Sequence, residues 1–381
     1  MPVVKESSIP CTIMRGGTSK ALFFLASDVP ADVQQRTDLL LRAFGSPDIR
    51  QVDGMGGADP LTSKTAIIRA SNMPGVDVEY TFGQVSITES YVDMAGNCGN
   101  ISSAVGPYAI DKGLVPAVDP VTTVRIFNTN TRRMIVAEVP VREGRVVTQG
   151  TYRINGVPGT GAEIKLHFVD PGGAITGKLL PTGNVADKIK MESGQAVDVS
   201  IVDAGNLAGF VRAEQVGLRG DELPAEIESR ADVLAMLEEI RAKISERLGM
   251  CGNWREAFQH YRTNPKIAFV APPAAYQTIQ GQQVDADSVN LLARVMAMGR
   301  MHKAFAITAA IPTAVASKIP GSVVHELCRP SSSTVRIAHP SGIMSVGITS
   351  SGEKENFRLL EVIVGRTARK LMDGQVFLSM A

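Results

Sequence analysis

The sequence predicts a strand-rich α+β protein built as two domains, and three observations predict it. The chain has 381 residues, about twice the length of one ordinary domain, so two cores have room to form. Short apolar runs punctuated by Gly, Pro, Asn and Asp outnumber long amphipathic patterns, the mark of a mixed architecture rich in strands. A strand-like run, a short loop and a helix of small residues occur once in each half, which is a weak internal repeat.

The elements follow in chain order. Val85 to Met94 reads as a strand, and Asn100 to Ile110 (NISSAVGPYAI) as the helix after it; with little charge on any side, that helix belongs among other elements rather than at the surface. Val121 to Asn128 and Met134 to Val139 are separated by Thr129, Asn130 and basic residues and read as a β-hairpin. Ile164 to Phe168 is a further strand. Pro171 to Asn184 opens on PGG, closes on PTGN and suits a linker. Domains of 1–184 and 185–365 result, with residues 366–381 available to complete the first. Val233, Leu237, Ile240, Ile244 and Leu248 recur at steps of four and three, and Gly249 stands where such a helix should stop. Ile267 to Ala271 and Val289 to Met298 read as strands, Thr308 to Ile319 (TAAIPTAVASKI) as the second buried helix, and Leu359 to Val364 and Gln375 to Met380 as closing strands.

Composition narrows the function. With 39 basic against 38 acidic side chains the net charge is +1, so nothing draws the chain generally to a nucleic acid. The N-terminal MPVVKESSIPC lacks the apolar core of a signal peptide. The uncharged run Ala304 to Ser317 is interrupted by Pro312 and falls short of the ~20 residues that cross a bilayer. A cytoplasmic protein without membrane contact is expected. Cys11, Cys98, Cys251 and Cys328 are scattered, without a CxxC pair or a His/Cys cluster at metal spacing, so reduced thiols and no metal site are expected. A homodimer is the default for a symmetric-looking enzyme of this size.

Three segments of the first half are too rich in glycine and polar groups for core: MRGGTSK at Met14 to Lys20, DGMGGADPLTSK at Asp53 to Lys64, and GNCGN at Gly96 to Asn100. Glycine lets backbone approach a ligand closely, and at a helix start it leaves N–H donors aimed at an anion. A carboxylate or phosphate ligand is implied. The nucleotide signatures fail, because Thr62 and Ser63 precede Lys64 rather than follow it and no GxGxxG appears. No cofactor is expected.

Cys98, flanked by glycine and amides at the start of a buried helix, is placed where the helix dipole favours a thiolate; it suits an acid, a base or a nucleophile. Cys11 and Cys328 read as small buried apolar groups, and Cys251 as part of the turn after Gly249. Lys64 closes the uncharged run PLTS just before the strand-like Thr65 to Ile68. To act as a base near pH 7 its amine must give up its proton about 3.4 pH units below a reference of ~10.4, roughly 4.6 kcal/mol. Desolvation, with positive potential from Arg15, Lys20 and helix N-termini, could supply much of that. Lys64 suits an anion ligand as readily as a base. His167, His260, His302, His325 and His339 form no catalytic pattern and read as hydrogen-bonded structural residues; His302, in GRMHKAF, directly precedes the second buried helix, and His339 starts a turn.

At these segments, and at GSPD (Gly45 to Asp48), FGQVSI (Phe82 to Ile87), PTGN (Pro181 to Asn184), PKIAFVAPP (Pro265 to Pro273) and HPSG (His339 to Gly342), the sequence resembles the PrpF-like family of allylic isomerases. That family groups 2-methylaconitate isomerases with 4-oxalomesaconate tautomerases and methylitaconate isomerases. The likeness runs through nearly the whole chain. It implies a diaminopimelate-epimerase-like fold, with two similar domains that each wrap sheet around a central helix and an active site in the cleft between them. The resemblance carries the catalytic lysine onto Lys64 and the motif cysteine onto Cys98. It makes Arg15, Thr18, Ser19, Asn97, Gly99 and Asn100 candidate substrate binders in the first half, with His302, Thr308 and Ser341 in the second.

Related two-base racemases use one cysteine from each domain, but the second buried helix here is preceded by MHKAFAIT, which has none. A proton taken from one carbon of an alkene carboxylate and returned two carbons away needs only one movable base. The expected activity is therefore a cofactor-independent allylic shift in an unsaturated di- or tricarboxylate such as 2-methylaconitate, with oxalomesaconate tautomerisation as the alternative. FGQVSI looks closer to the first branch, GGADPLTSK to the second. A third reading, from another class, is a non-catalytic accessory protein for an iron-sulfur dehydratase, although scattered cysteines argue against its holding a cluster. A thiol-dependent racemase comes last.

Overall fold

Val121–Asn128 alternates outward and buried residues along its length and pairs antiparallel with Arg133–Arg142, forming the expected hairpin. The computed structural model describes residues 7–260, 264–297, 299–351 and 358–378. Backbone contacts divide the chain into two units, Met1–Leu166 with Gly365–Ala381, and His167–Val364.

In chain order the first unit holds β1 (Ser8–Gly16), β2 (Ser19–Leu25), α1 (Val33–Phe44), β3 (Lys64–Ala70), β4 (Val78–Val85), β5 (Val92–Asp93), α2 (Gly99–Asp111), β6 (Val121–Asn128), β7 (Arg133–Arg142) and β8 (Arg145–Val146). The strand β9 (Ile164–Val169) leads out of it. The second unit holds β10 (Asp187–Lys190), β11 (Ala196–Asp203), β12 (Leu207–Arg212), α3 (Pro224–Glu228), α4 (Ala231–Arg247), α5 (Ala257–His260), β13 (Lys266–Ala271) and β14 (Tyr276–Gln277). It continues with β15 (Gln283–Val284), β16 (Leu291–Ala297), β17 (Arg300–Met301), α6 (Ile307–Ala316), α7 (Val323–Leu327), β18 (Thr334–His339) and β19 (Gly342–Ser351). β20 (Arg358–Arg366) leads back, and β21 (Ala368–Phe377) pairs antiparallel along the whole of β1.

Both units repeat one order of pairing. In the first, β1 and β2 are antiparallel, β2 and β3 parallel, β3 and β4 antiparallel, β4 and β6 parallel, and β6 and β7 antiparallel. In the second, the same sequence runs through β11, β12, β13, β16, β18 and β19. Each parallel pair needs a crossover. The first crossover carries an amphipathic helix, α1 or α4; the second carries a helix of small residues, α2 or α6. The weak repeat in the sequence thus corresponds to a repeated topology.

The two kinds of helix pack as their composition dictates. Every residue of α2 except Asp111 is buried, as are all ten of α6, because a helix without a polar face has to be enclosed. β1, β2, β3, β6, β7, β8 and β21 all contact α2, so the sheet of the first unit wraps around it; β11, β12, β18 and β19 do the same for α6. Gly106 lets α2 approach β7 closely, since a Cβ there would lie 2.7 Å from Val139 Cγ2. Pro312 lies inside α6. On the outer side, α1 buries Leu40, Leu41 and Phe44 against Ile13, Leu22, Phe24 and Ile67. Its ends are set by Asp32, which accepts from Gln35 N, and by Gly45 at φ 68°. In α4, Val233, Leu237, Ile240 and Ile244 face the second core, and Gly249 follows at φ 69°.

Three expectations are corrected. Val85 to Met94 is not one strand: β4 ends at Val85 and only Val92–Asp93 resumes pairing. Ser86, Thr88, Glu89 and Ser90 favour a turn instead, closed by Ser86 N on Tyr91 O and Glu89 N on Ser86 Oγ. The stretch 171–184, expected to link the halves, lies within the second unit. It is tied to the end of β11, where Asp203 Oδ2 accepts from Ile175 N, Thr176 N and Thr176 Oγ1. Cys328 is only partly buried, unlike Cys11. The His260 side chain, Met298, Ser379, Met380 and residues 1–6 lie outside the described residues. No described helix is long and apolar enough to cross a membrane, and no three His, Cys, Asp or Glu among the described residues stand where they could hold a metal ion.

Candidate active site

Lys64 opens β3, with Ala21 of β2 on one side and Gln84 of β4 on the other. Only 7% of it is exposed. Its Nζ donates to Gln84 Oε1 and stands 5.4 Å from the centre of the Phe82 ring. Burial pushes the amine below its ordinary value, while Cys98 and the Asp59 carboxylate act in the opposite sense. The depression therefore comes from desolvation, and the expected help from Arg15 and Lys20 is not among its causes.

The loop that delivers Lys64 is organised by Gln51. The Oε1 of this buried side chain accepts from Ala58 N at 2.8 Å and Ser63 Oγ at 2.7 Å, and its Nε2 donates to Ser46 Oγ at 2.9 Å. The glycines of DGMGG serve this packing. A Cβ on Gly54 would lie 2.1 Å from Gly45 N, and one on Gly56 would lie 2.3 Å from the Gln51 amide. In this segment, then, glycine meets a demand for close packing rather than for anion donors.

The other two glycine-rich segments meet at the start of α2. Cys98 is the N-cap residue and is partly exposed; Asn97 Oδ1 accepts from its N–H at 2.7 Å. Gly99 is the first helical residue. Asn100 is held at both ends of its amide: Oδ1 accepts from Arg366 Nε at 3.1 Å, and Nδ2 donates to Thr18 Oγ1 at 3.2 Å. Because Thr18 Oγ1 accepts there, its own proton is available to a further acceptor. A Cβ on Gly16 would lie 2.4 Å from Asn100 O, so the turn between β1 and β2 is pressed against the helix. Arg15 Nη1 braces that turn through Gly17 O and Thr367 O, each at 2.9 Å, and burial together with Arg369 pushes its guanidinium down. The buried Ser19 hydroxyl has no hydrogen-bond partner among the described residues. Lys20 N donates to Leu61 O at 2.9 Å, joining MRGGTSK to the run before Lys64.

Four residues of this unit carry too little local signal to be found from the sequence. Gln84 lies inside the motif FGQVSI, where nothing sets it apart from its neighbours, and Gln51 stands in no motif. Arg366 lies far along the chain; its guanidinium is buried at Asn100 and pushed down to about 10 by that burial. Tyr80 on β4 is fully buried, and its hydroxyl lies beside Ser102 without meeting hydrogen-bond geometry. Burial and Cys98 push its phenol up.

The candidates of the second unit gather at the start of α6. His302 is buried, donates its backbone N–H to Val295 O and accepts at Nδ1 from Ala304 N, 3.0 Å away. Ser341 Oγ donates to Lys303 O at 2.6 Å, and Ser341 N to His339 Nδ1 at 3.2 Å. Thr308 lies, buried, in the first turn of α6. These contacts tie His302 and Ser341 to the backbone before the helix.

The family model described as PrpF protein matches residues 6–379. The chain belongs to the PrpF family. It is 48% identical over 380 residues to a 3-methylitaconate isomerase of Eubacterium barkeri, covering 99% of this chain and 98% of that one. It is 40% identical over 385 residues to a 2-methyl-aconitate isomerase of Shewanella oneidensis, covering 97% of each. A crystal structure of methylitaconate-delta-isomerase superposes with a TM-score of 0.80 at 47% identity, covering 98% of this chain and 96% of that one. A hydroxyproline epimerase from Agrobacterium vitis, 13% identical, shares the fold with a TM-score of 0.56 over 99% of this chain and 95% of its own. This PrpF-family chain is thus an isomerase with an epimerase-like fold, and α2 and α6 are the two helices enclosed by its sheets.

Proposed function

We propose that this PrpF-family isomerase moves a proton across three carbons of an unsaturated di- or tricarboxylate, with Lys64 as the base. The observation that carries the reading is the buried Lys64 amine, whose affinity for a proton is lowered by desolvation. A base of this kind has to be uncharged when substrate arrives, and burial favours the neutral form.

In this reading Lys64 takes a proton from the carbon γ to a carboxylate or keto group. The electron pair spreads into a dienolate across three carbons. Thr18, Ser19, Arg15 and the N–H groups at the start of α2 hold the carboxylates and the charge that develops on them. Protonation at the α carbon completes the shift of the double bond. Lys64 returns the proton when the shift stays on one face, and Cys98 supplies it when the shift crosses to the other. Higher identity to the methylitaconate enzyme than to the methylaconitate enzyme makes a methyl-substituted dicarboxylate the first substrate to try.

The test is incubation with methylitaconate, 2-methylaconitate and oxalomesaconate in deuterated water with no metal added, followed by NMR. Deuterium entering one substrate as its double bond moves is the expected result. Silence across the panel would overturn the proposed substrate class. Lys64→Met should abolish turnover while circular dichroism stays unchanged, and a near-normal rate would remove Lys64 from the mechanism.

A further inference from the structure

We propose that Gln84 is a positioning residue that sets both the direction of the Lys64 amine and its readiness to shed a proton. The inference rests on Lys64 being the base, as proposed above. Gln84 is buried on β4, directly opposite Lys64 on β3. Its Nε2 donates to Ser63 O at 2.9 Å and to Pro60 O at 3.2 Å. Backbone carbonyls can only accept, so the amide cannot be turned around without losing both bonds. Oε1 is thereby fixed toward Lys64 Nζ. One N–H of the amine is committed to that oxygen, and the Phe82 ring occupies a second side. A neutral amine has a single lone pair, and donating an N–H to Gln84 leaves that pair directed away from the glutamine oxygen.

The neutrality of Gln84 matters as much as its geometry. Around the amine, Cys98 at the start of α2 and Asp59 in the preceding loop favour the charged form, and burial opposes them. Asp93 on β5 pairs across the strand with Gln84, and its carboxylate accepts from Ala95 N at 2.8 Å. A carbonyl oxygen satisfies one N–H of Lys64 without adding another full negative charge. A carboxylate in its place would hold the amine as ammonium.

Two substitutions at Gln84 should therefore shift the pH dependence of kcat in opposite directions. Rate falls at low pH as the amine of Lys64 takes up a proton. In Gln84→Glu that fall should move up by about one to three pH units, the range for an adjacent opposite charge, with activity near neutrality reduced about tenfold or more and recovered at high pH. In Gln84→Met, which loses the acceptor but keeps similar bulk, the fall should move down, the plateau should drop through loss of orientation, and KM should stay within about twofold. If both variants lower the plateau and leave the pH of the fall unmoved, or move it the same way, Gln84 only clamps the loop and the inference is overturned. Should Gln84→Glu fail to fold, Gln84→Met decides alone by whether the fall moves down. Lys64→Met separates the two ideas: an active Lys64→Met enzyme ends the base reading and the role of Gln84 with it, whereas with an inactive one the Gln84 variants decide.

Discussion

Gly17 lies against Asn100 so closely that a Cβ built on the glycine would stand 2.1 Å from the Asn100 Oδ1. The glycine is also left-handed, with φ of 52°. The contact explains why a turn joining two strands and the first turn of a buried helix both carry motif residues. Each fixes the other, and Thr18 and Asn100 hydrogen-bond across the junction.

Gly17→Ala should therefore damage the site and the fold together. The positive φ alone costs about 1–3 kcal/mol for a residue with a Cβ, and the clash displaces the Asn100 amide. Urea unfolding should show the loss, and kcat/KM should fall more than tenfold through KM. Unchanged KM would separate the turn from substrate binding.

Arg366→Met should leave Asn100 Oδ1 and Gly365 O without the donor each now has. An unsatisfied buried acceptor costs about 1–3 kcal/mol. Arg366→Lys should not restore stability, since one ammonium cannot reproduce the planar fork that reaches both oxygens. Denaturant midpoints of the two variants against the parent decide the matter, and a lysine variant of parental stability would refute the fork argument.

Lys64→Met should change the pH dependence of stability with a definite sign. Burial lowers the proton affinity of the amine in the folded chain below its unfolded value of 10.5. Between the two values the unfolded chain holds the proton and the folded chain does not, so this residue makes stability rise with pH in that window. Removing the amine removes the rise. The Tm difference, variant minus parent, should be more positive at neutral pH than near pH 10, and a difference that grows with pH would contradict a buried, depressed amine.

Gly106→Ala tests the packing that encloses α2. A Cβ there would meet Val139 Cγ2 at 2.7 Å and Ala137 Cβ at 3.3 Å. Overpacking of this order costs about 1–3 kcal/mol. Thermal melting should show a lower Tm while the rate per folded molecule is kept; an unchanged Tm would mean that α2 and β7 can separate freely.

Patterns confined to one stretch of chain were legible. The periodic apolar face of α4, the uncharged composition of α6 and of α2 as far as Ile110, and the alternation in β6 and β7 each record the surroundings of an element in its own residues. Ser86 to Ser90 misled because the run is apolar only at its ends, and its hydroxyl-rich middle closes a turn. The placement of Lys64 at the head of a strand, and of Cys98 at the head of a helix, could be read from neighbouring residues alone.

The sequence by itself determined where Lys64 and Cys98 stand, at the head of a strand and at the head of a buried helix, because the starts of such elements are local requirements of the backbone. Only the tertiary structure decided what surrounds them. Gln84 meets Lys64 through strand pairing across 20 residues, and Arg366 meets Asn100 across 266. Contacts at such separations follow from how sheets close around a helix, and no local pattern in the chain encodes them.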